Sequence, residues 1–160
     1  MRSTSQGRLL GLMLVTLQGV IFFAVGISAF LDGPEIGGSW WAGSTVVLLG
    51  LLGMFWSAKD LGRALTPMPT PNGAGLAAGG IYGYVRHPMY SGVIAVALGL
   101  AVGSGHAWTY AFTVLLALFF EAKTRVEEGF LERAYPGYAE YAAKTGKFLP
   151  GLGRRRPSGA

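Results

Sequence analysis

The densest set of chemistry-capable side chains is the stretch Gly79-Gly80-Ile81-Tyr82-Gly83-Tyr84-Val85-Arg86-His87-Pro88-Met89-Tyr90-Ser91-Gly92. An arginine, a histidine and three tyrosines stand where a polar loop enters an apolar segment. Pro88 suits the first turn of a helix, where its missing N–H costs nothing. A helix N-terminus offers unpaired N–H groups and the positive end of the dipole, which favour a carboxylate such as that of an amino-acid-like ligand. Tyr82, Tyr84 and Tyr90 can stack on an adenine ring or hydrogen-bond a ribose. The same residues also fit an interfacial belt, with tyrosine anchors and Arg86 on a lipid phosphate. Alone, the stretch does not separate the two.

Glu127-Glu128 is the second set. Neighbouring helical positions point about 100° apart, so the two carboxylates need not share a role. Glu127 falls on a stripe with Phe120, Thr124 and Leu131 that is expected to face inward. Glu128 falls with Glu121, Arg125 and Glu132, a face expected to be solvated and ion-paired. A carboxylate on an apolar stripe asks for a cation, because an unpaired buried charge is costly. The ammonium or sulfonium of a ligand would serve. His106 is expected to be a turn residue, and two histidines on opposite sides of a membrane make no metal site. With no cysteine in the chain there is no thiolate zinc site, disulfide or cysteine nucleophile. No Ser-His-Asp set is visible. Gly79-Gly80 with Gly83 is no dinucleotide fingerprint, since no strand precedes it.

The elements that must position these residues follow from where the charges are missing. Apolar residues make up 51% of the chain and charged ones 13%, about half the usual charged share. Charges gather at the two ends, around 59–63, and between Glu121 and Lys147. The uncharged stretch 9–31 would make about 34 Å of helix, enough to cross a ~30 Å hydrocarbon layer and longer than a signal-peptide core. Asp32-Gly-Pro-Glu35 is a turn. A second crossing is expected over 38–58, marked near its ends by Trp40-Trp41 and Trp56. Residues 59–89 form a loop that carries the first motif, with alternating prolines at 67, 69 and 71. From Pro88 to Phe120 the only ionisable residue is His106, and Gly103-Ser-Gly-His106 reads as a tight turn. This predicts a short hairpin, 90–103 and 107–120. The second arm continues as a helix out of the membrane, Tyr135-Pro136-Gly137 ends it, and 138–144 forms a short amphipathic helix. Residues 121–150 thus make a helical cap, and 151–160 a disordered tail.

The fold class expected is therefore all-α: a polytopic membrane protein of about four transmembrane helices in two hairpins, with a cytosolic C-terminal helical extension. Arg2, Arg8, Lys59, Arg63, Arg86 and the C-terminal basic residues fall on one side, and Asp32, Glu35 and His106 on the other. Lysine and arginine stay preferentially in the cytoplasm, which puts both termini and the 59–89 loop there, in what is expected to be a bacterial inner membrane. Both polar segments then share one compartment. The net charge is +5, but Arg154-Arg155-Arg156 is the only basic run, so no nucleic-acid partner is expected.

Tyr84-Val85-Arg86-His87-Pro88-Met89-Tyr90-Ser91-Gly92, followed by Arg125-Val126-Glu127-Glu128 with Leu131, then Tyr138-Ala-Glu-Tyr141 and Lys147-Phe148-Leu149-Pro150, resembles the isoprenylcysteine carboxyl methyltransferase and phospholipid methyltransferase superfamily. The likeness covers about residues 45–151. It implies an integral-membrane enzyme using S-adenosylmethionine at the cytosolic face. It further implies that Gly80, Tyr82, Tyr84, Val85, His87, Pro88, Tyr90, Glu127 and Glu128 bind that cofactor, and that Arg86 and Arg125 are catalytic. A lipophilic or lipid acceptor would enter sideways from the membrane. Sulfonium methyl transfer mainly needs positioning and exclusion of water. A carboxylate or thiolate acceptor needs no general base, whereas an amine must lose a proton and no base is evident. A carboxyl or sulfur acceptor is therefore favoured over a phospholipid amine. The alternatives are a small membrane reductase using NADPH and a non-catalytic membrane scaffold.

Overall fold

The computed structural model of the protein describes residues 2–64, 73 and 75–155. Among them are five helices: α1 (Arg2–Ser28), α2 (Trp40–Leu61), α3 (Pro88–Ser104), α4 (Ala107–Ala134) and α5 (Tyr138–Lys144). Short 3-10 turns occupy Gly62–Ala64 and Gly80–Gly83. No strand occurs among the described residues, only two isolated bridges. The all-helical architecture is thus as expected. The alternating prolines of the loop lie outside the described residues, as do positions 156–160 of the expected tail.

Local chemistry accounts for the helix ends. Ser39 caps α2, its Oγ accepting the Ala42 N–H at 3.4 Å, and Lys59 in the last turn suits the negative end of the dipole. The helix runs on to Leu61, past the expected 58, and stops at Gly62, whose φ of 49° ends the helical path. Pro88 opens α3, as its type suggests. Gly105 closes it in the left-handed conformation and donates to Ala101 O, which makes the turn expected at 103–106. His106 starts α4 as a turn residue, its Nδ1 lying 3.3 Å from Ser28 O.

Two helical segments, Leu9–Ser28 and Trp40–Ala64, are long and apolar enough to cross a membrane. Their large side chains point outward, among them Leu9, Leu17, Phe23, Leu49 and Phe55. A soluble protein would hide such faces, whereas a lipid-facing one need not. α3 is apolar but shorter, at 17 residues or about 26 Å. α4, with 28 residues, starts apolar and ends charged without a break.

α2 and α3 pack backbone against backbone through Gly43, Gly50, Gly92, Gly99 and Gly103. α3 and α4 meet around Val93, Ala97, Leu116, Phe119 and Phe120, and α1 closes this core with Ile21 and Val25. At the end away from the motifs, Ile36 N–H donates to Gly105 O and Ala107 N–H to Pro34 O, both at 2.8 Å, so the α1–α2 loop is pinned to the α3–α4 turn. The opposite end is where α3 begins, α4 turns polar, and α5 folds back.

Candidate functional site

Asp60, on the last turn of α2, fixes the start of the first motif. Its Oδ2 accepts the Ile81 N–H at 2.8 Å. Gly80 has φ of +57°, and a Cβ there would collide with the Asp60 carboxylate, so the turn needs glycine. Tyr82 is buried beneath this turn, and burial raises its hydroxyl to about 12, with Ser57 on α2 acting in the opposite direction. The chain then pairs with the C-terminal segment. Arg86 N–H donates to Gly146 O at 2.8 Å, His87 N–H to Lys147 O at 3.0 Å, and Gly146 N–H to Tyr84 O at 3.1 Å. Ser91 Oγ adds a bond to Phe148 O at 2.5 Å. Residues 145–153 thus lie as a strap across the entry to α3.

Arg86 is the rivet of that strap. Its side chain is buried, and its Nε–H donates to Glu128 Oε1 at 2.9 Å. Its other donors reach the carbonyls of Ala142 at 3.0 Å, Thr145, and Gly153 at 2.9 Å. At least four of its five N–H groups are therefore occupied by the protein. The geometry gives Arg86 the place of a structural clamp.

Glu128 is the hub. Besides Arg86, it receives His87 Nε2 at 3.0 Å on Oε1 and Arg155 Nε at 3.2 Å on Oε2. Burial alone would raise its carboxyl, but the hydrogen bonds from His87 and Arg86 outweigh burial and hold it at about 2. The carboxylate is therefore ionised and only accepts, so His87 Nε2 carries the proton of that bond. This corrects the expectation that Glu128 lies on a solvated face with Glu121, Arg125 and Glu132. Its neighbours on that face are half-buried or exposed as expected, but Glu128 is 1% exposed because α5, the strap and Arg155 cover it. The expected disordered tail is corrected in part for the same reason. Gly153 and Arg155 are ordered parts of the cluster.

Glu127 lies a helical step away and has different company. Tyr90 OH donates to its Oε1 at 2.6 Å, Lys123 Nζ lies 3.7 Å from the same oxygen, and His87 Nδ1 lies 3.8 Å from Oε2. Burial raises its carboxyl above the ordinary value, only partly offset by Tyr90, His87 and Lys123. The inward stripe holds for Phe120 and Thr124, which are buried with Glu127, while Leu131 is only half-buried. Tyr90 stacks on Phe120 with ring centroids 4.4 Å apart and lies parallel to His87.

The fold therefore brings together Tyr82, Val85, Arg86, His87, Pro88, Tyr90, Glu127 and Glu128. Two expected members stand apart. Arg125 is exposed and pairs with Glu121 at 3.1 Å, since two steps of about 100° swing it away from Glu127. Tyr84 is 70% exposed, its backbone alone taking part in the bridge to Gly146. Two residues escaped sequence reasoning. Arg155 belongs to a run that looks like tail composition. Lys123 is buried, with burial pushing its ammonium below the ordinary lysine range and Glu127 opposing. Its signal was legible: a lysine three residues after Phe120 and four before Glu127, on the same helical stripe.

A family model described as phospholipid methyltransferase matches residues 39–137, well over half of the chain. The chain belongs to the phospholipid methyltransferase family. The matched stretch of this family member runs from the cap of α2 past both motifs, and leaves α1, α5 and the strap outside it. The chain is 35% identical over 116 residues to the cobalt-zinc-cadmium resistance protein CzcN of Cupriavidus metallidurans, covering 70% of this chain and 52% of that protein. It is 40% identical over 73 residues to a probable protein-S-isoprenylcysteine O-methyltransferase of Oryza sativa, covering 44% of this chain and 38% of that protein. The chain thus spans about half the length, or less, of these curated relatives. No group of three or more His, Asp or Glu side chains that could hold a metal ion occurs among the described residues.

Proposed function

We propose that this protein is an S-adenosylmethionine-dependent methyltransferase acting on a lipophilic acceptor at the cytosolic face of a membrane. The observation that carries this is the convergence of His87 and Tyr90 from α3 with Glu127 and Glu128 from α4. The cluster lies where the apolar helices give way to charge, inside the family-matched stretch. When bound, S-adenosylmethionine supplies a methyl group on a sulfonium, an electrophile that is already activated. The residues present fit that cofactor. Glu128 is saturated by three basic groups, while among the described residues Glu127 Oε2 has His87 Nδ1 alone, at 3.8 Å. Glu127 thus keeps acceptor capacity for an ammonium.

Each residue then has a task. Glu127 binds the ammonium, and Tyr90 and His87 hold its carboxylate in place. The first turn of α3, opened by Pro88, favours a carboxylate. Gly80, Tyr82 and Val85 shape the wall of the pocket. Arg86, through Glu128 and the strap, keeps water out. A carboxyl or sulfur acceptor fits this set better than a phospholipid amine, because it can react without first losing a proton.

The same function asks for four crossings, with α3 and the first half of α4 as a short second hairpin and both termini in the cytoplasm. Tilting or local thinning of the bilayer would accommodate the short arms. Cysteines placed at Glu35 and Ala78 are expected to label from opposite sides of the membrane. Labelling from one side removes the topology.

The test of the cofactor is calorimetric titration of the detergent-purified protein with S-adenosylhomocysteine. Saturable binding that weakens in Glu127→Gln is expected. A folded wild-type protein that binds neither this compound nor S-adenosylmethionine overturns the proposal.

A further inference from the structure

The apolar run of α1 from Leu9 to Ser28 contains one amide side chain, Gln18. In lipid such a group has no water to bond, so it needs a partner on a neighbouring helix. The partner is Lys123 of α4, whose Nζ donates to Gln18 Oε1 at 2.6 Å. Lys123 is 1% exposed, and its Nζ also stands 4.9 Å above the Tyr90 ring. The α1 half of this bridge lies outside the family-matched stretch. The lysine half reaches into the site, one helical turn before Glu127.

The distances give the two residues different parts. Lys123 Nζ lies 3.7 Å from Glu127 Oε1, close enough for its charge to act and too far for a hydrogen bond. That oxygen accepts the Tyr90 hydroxyl at 2.6 Å instead. Drawn toward Gln18, the ammonium compensates the buried carboxylate without closing on it. Among the described residues, the other titratable groups that face Glu127 are His87 and Tyr90 of α3 and Tyr82 of the turn before it, and His87 stands between Glu127 and Glu128. Burial pushes the Glu127 carboxyl above its ordinary value, and Tyr90, His87 and Lys123 oppose it in that order. A hydroxyl brings no charge, and an imidazole brings one only with both nitrogens protonated, whereas an ammonium brings it whole.

We propose that Lys123 and Gln18 are positioning residues of the cofactor site: Lys123 supplies the charge that keeps Glu127 a carboxylate, and Gln18 holds Lys123 back so that this carboxylate stays open to the cofactor's ammonium. The proposal rests on the methyl-transfer function above. It makes α1 part of the site, acting through α4 rather than touching the cofactor.

The test follows the protonation of Glu127 in the detergent-purified full chain by infrared spectroscopy. Glu127→Gln identifies the carbonyl band of the protonated carboxyl. Lys123→Met is expected to raise the midpoint of that band by about one to three pH units, the shift that loss of an adjacent opposite charge produces. Lys123→Arg is expected to leave it in place. Gln18→Leu is expected to lower it, because the freed ammonium closes on Glu127. A merely structural role gives no such opposite signs. Lys123→Gln serves if Lys123→Met does not fold. S-adenosylhomocysteine is titrated in parallel across pH. The pH at which its binding begins to fall is expected to follow the midpoint, with about tenfold loss per pH unit below it. Above every midpoint, Gln18→Leu is expected to bind about tenfold more weakly than the wild type and Lys123→Met no more weakly. An unmoved or lowered midpoint in Lys123→Met overturns the role of the charge, and an unmoved or raised one in Gln18→Leu overturns the tether. Binding with both midpoints unmoved sinks this proposal alone. Shifted midpoints without binding sink the cofactor assignment and leave Lys123 and Gln18 as the groups that tune Glu127.

Discussion

The α2–α3 seam and the α3–α4 cluster meet on the same helix, yet they are built on opposite principles. In the seam there is almost nothing between the backbones. A Cβ on Gly43 would lie 2.5 Å from Gly99 O, one on Gly99 2.7 Å from Gly43 O, and one on Gly50 2.8 Å from Gly92 O. Dispersion between close-packed backbones holds it together, as small residues do between helices in lipid. In the cluster the space is filled by long charged side chains, each answered by another: Arg86, His87 and Arg155 on Glu128, and Tyr90 and Lys123 on Glu127. The seam is sensitive to volume and indifferent to charge. The cluster is sensitive to charge and more tolerant of shape.

Removing one partner of the buried pair is expected to have the largest effect. Arg86→Met leaves Glu128 short of its main cation and strands the carbonyls of Ala142, Thr145 and Gly153. A loss of about 3–5 kcal/mol of stability is expected by chemical denaturation, with the strap becoming sensitive to protease. An unchanged midpoint would mean that charge does not hold this region.

The seam is probed by volume. Gly99→Ala is expected to cost about 1–3 kcal/mol by overpacking. Gly26→Ala on α1, where a Cβ meets nothing within 4 Å, is expected to be neutral or to stabilise by up to about 1 kcal/mol. Equal effects at the two glycines would break the contrast.

Within the cluster, the two glutamates are expected to divide stability from binding. Glu127→Gln is expected to weaken S-adenosylhomocysteine binding about ten- to a hundredfold, or about 1.4–2.8 kcal/mol, with the smaller change in stability. Glu128→Gln is expected to do the reverse. Acid titration sharpens this. The folded Glu128 carboxyl is held at about 2, below its ordinary 4.5, so its contribution is complete above pH 4.5 and is lost as pH falls from 4.5 through 2. Glu127 is shifted the other way, so its contribution is present below pH 4.5 and lost as pH rises through its folded value. Glu128→Gln is therefore expected to flatten the loss of stability between pH 4.5 and 2. A wild-type slope persisting in that variant would assign the titration to another group.

Arg125→Ala is expected to matter least. Its bond to Glu121 is an exposed pair four residues apart on a helix, of a kind worth about 0.3–0.5 kcal/mol. Methylation of whatever acceptor is found is expected to continue at near wild-type rate. A large loss would restore Arg125 to the reacting centre.

The helices were legible because local signals and apolar runs agree. Pro88 opens α3, Gly105 ends it, and Tyr138–Lys144 is helical where expected. That His87 and the glutamates could meet was expected from the distribution of basic residues, and the structure brings them into contact. The division between Glu127 and Glu128 was only half legible. Helical phase sorts residues by angle and puts Glu127 inward, but it cannot say what will lie against the other side.

From its sequence alone this chain is an α-helical protein with long lipid-compatible segments, a tight turn at 103–106 and two polar motifs that belong near one another. Those properties follow from composition, spacing and capping, which act over a few neighbouring residues. Only the tertiary structure decided that Glu128 is buried, that Arg155 serves it, that Arg86 rivets a strap, and that Lys123 meets Gln18 across the α1–α4 seam. The partners are separated by up to 105 residues along the chain, as Lys123 and Gln18 are. A charge is stable in such a place only when chain from elsewhere arrives to cover and neutralise it, and that arrival is a property of packing.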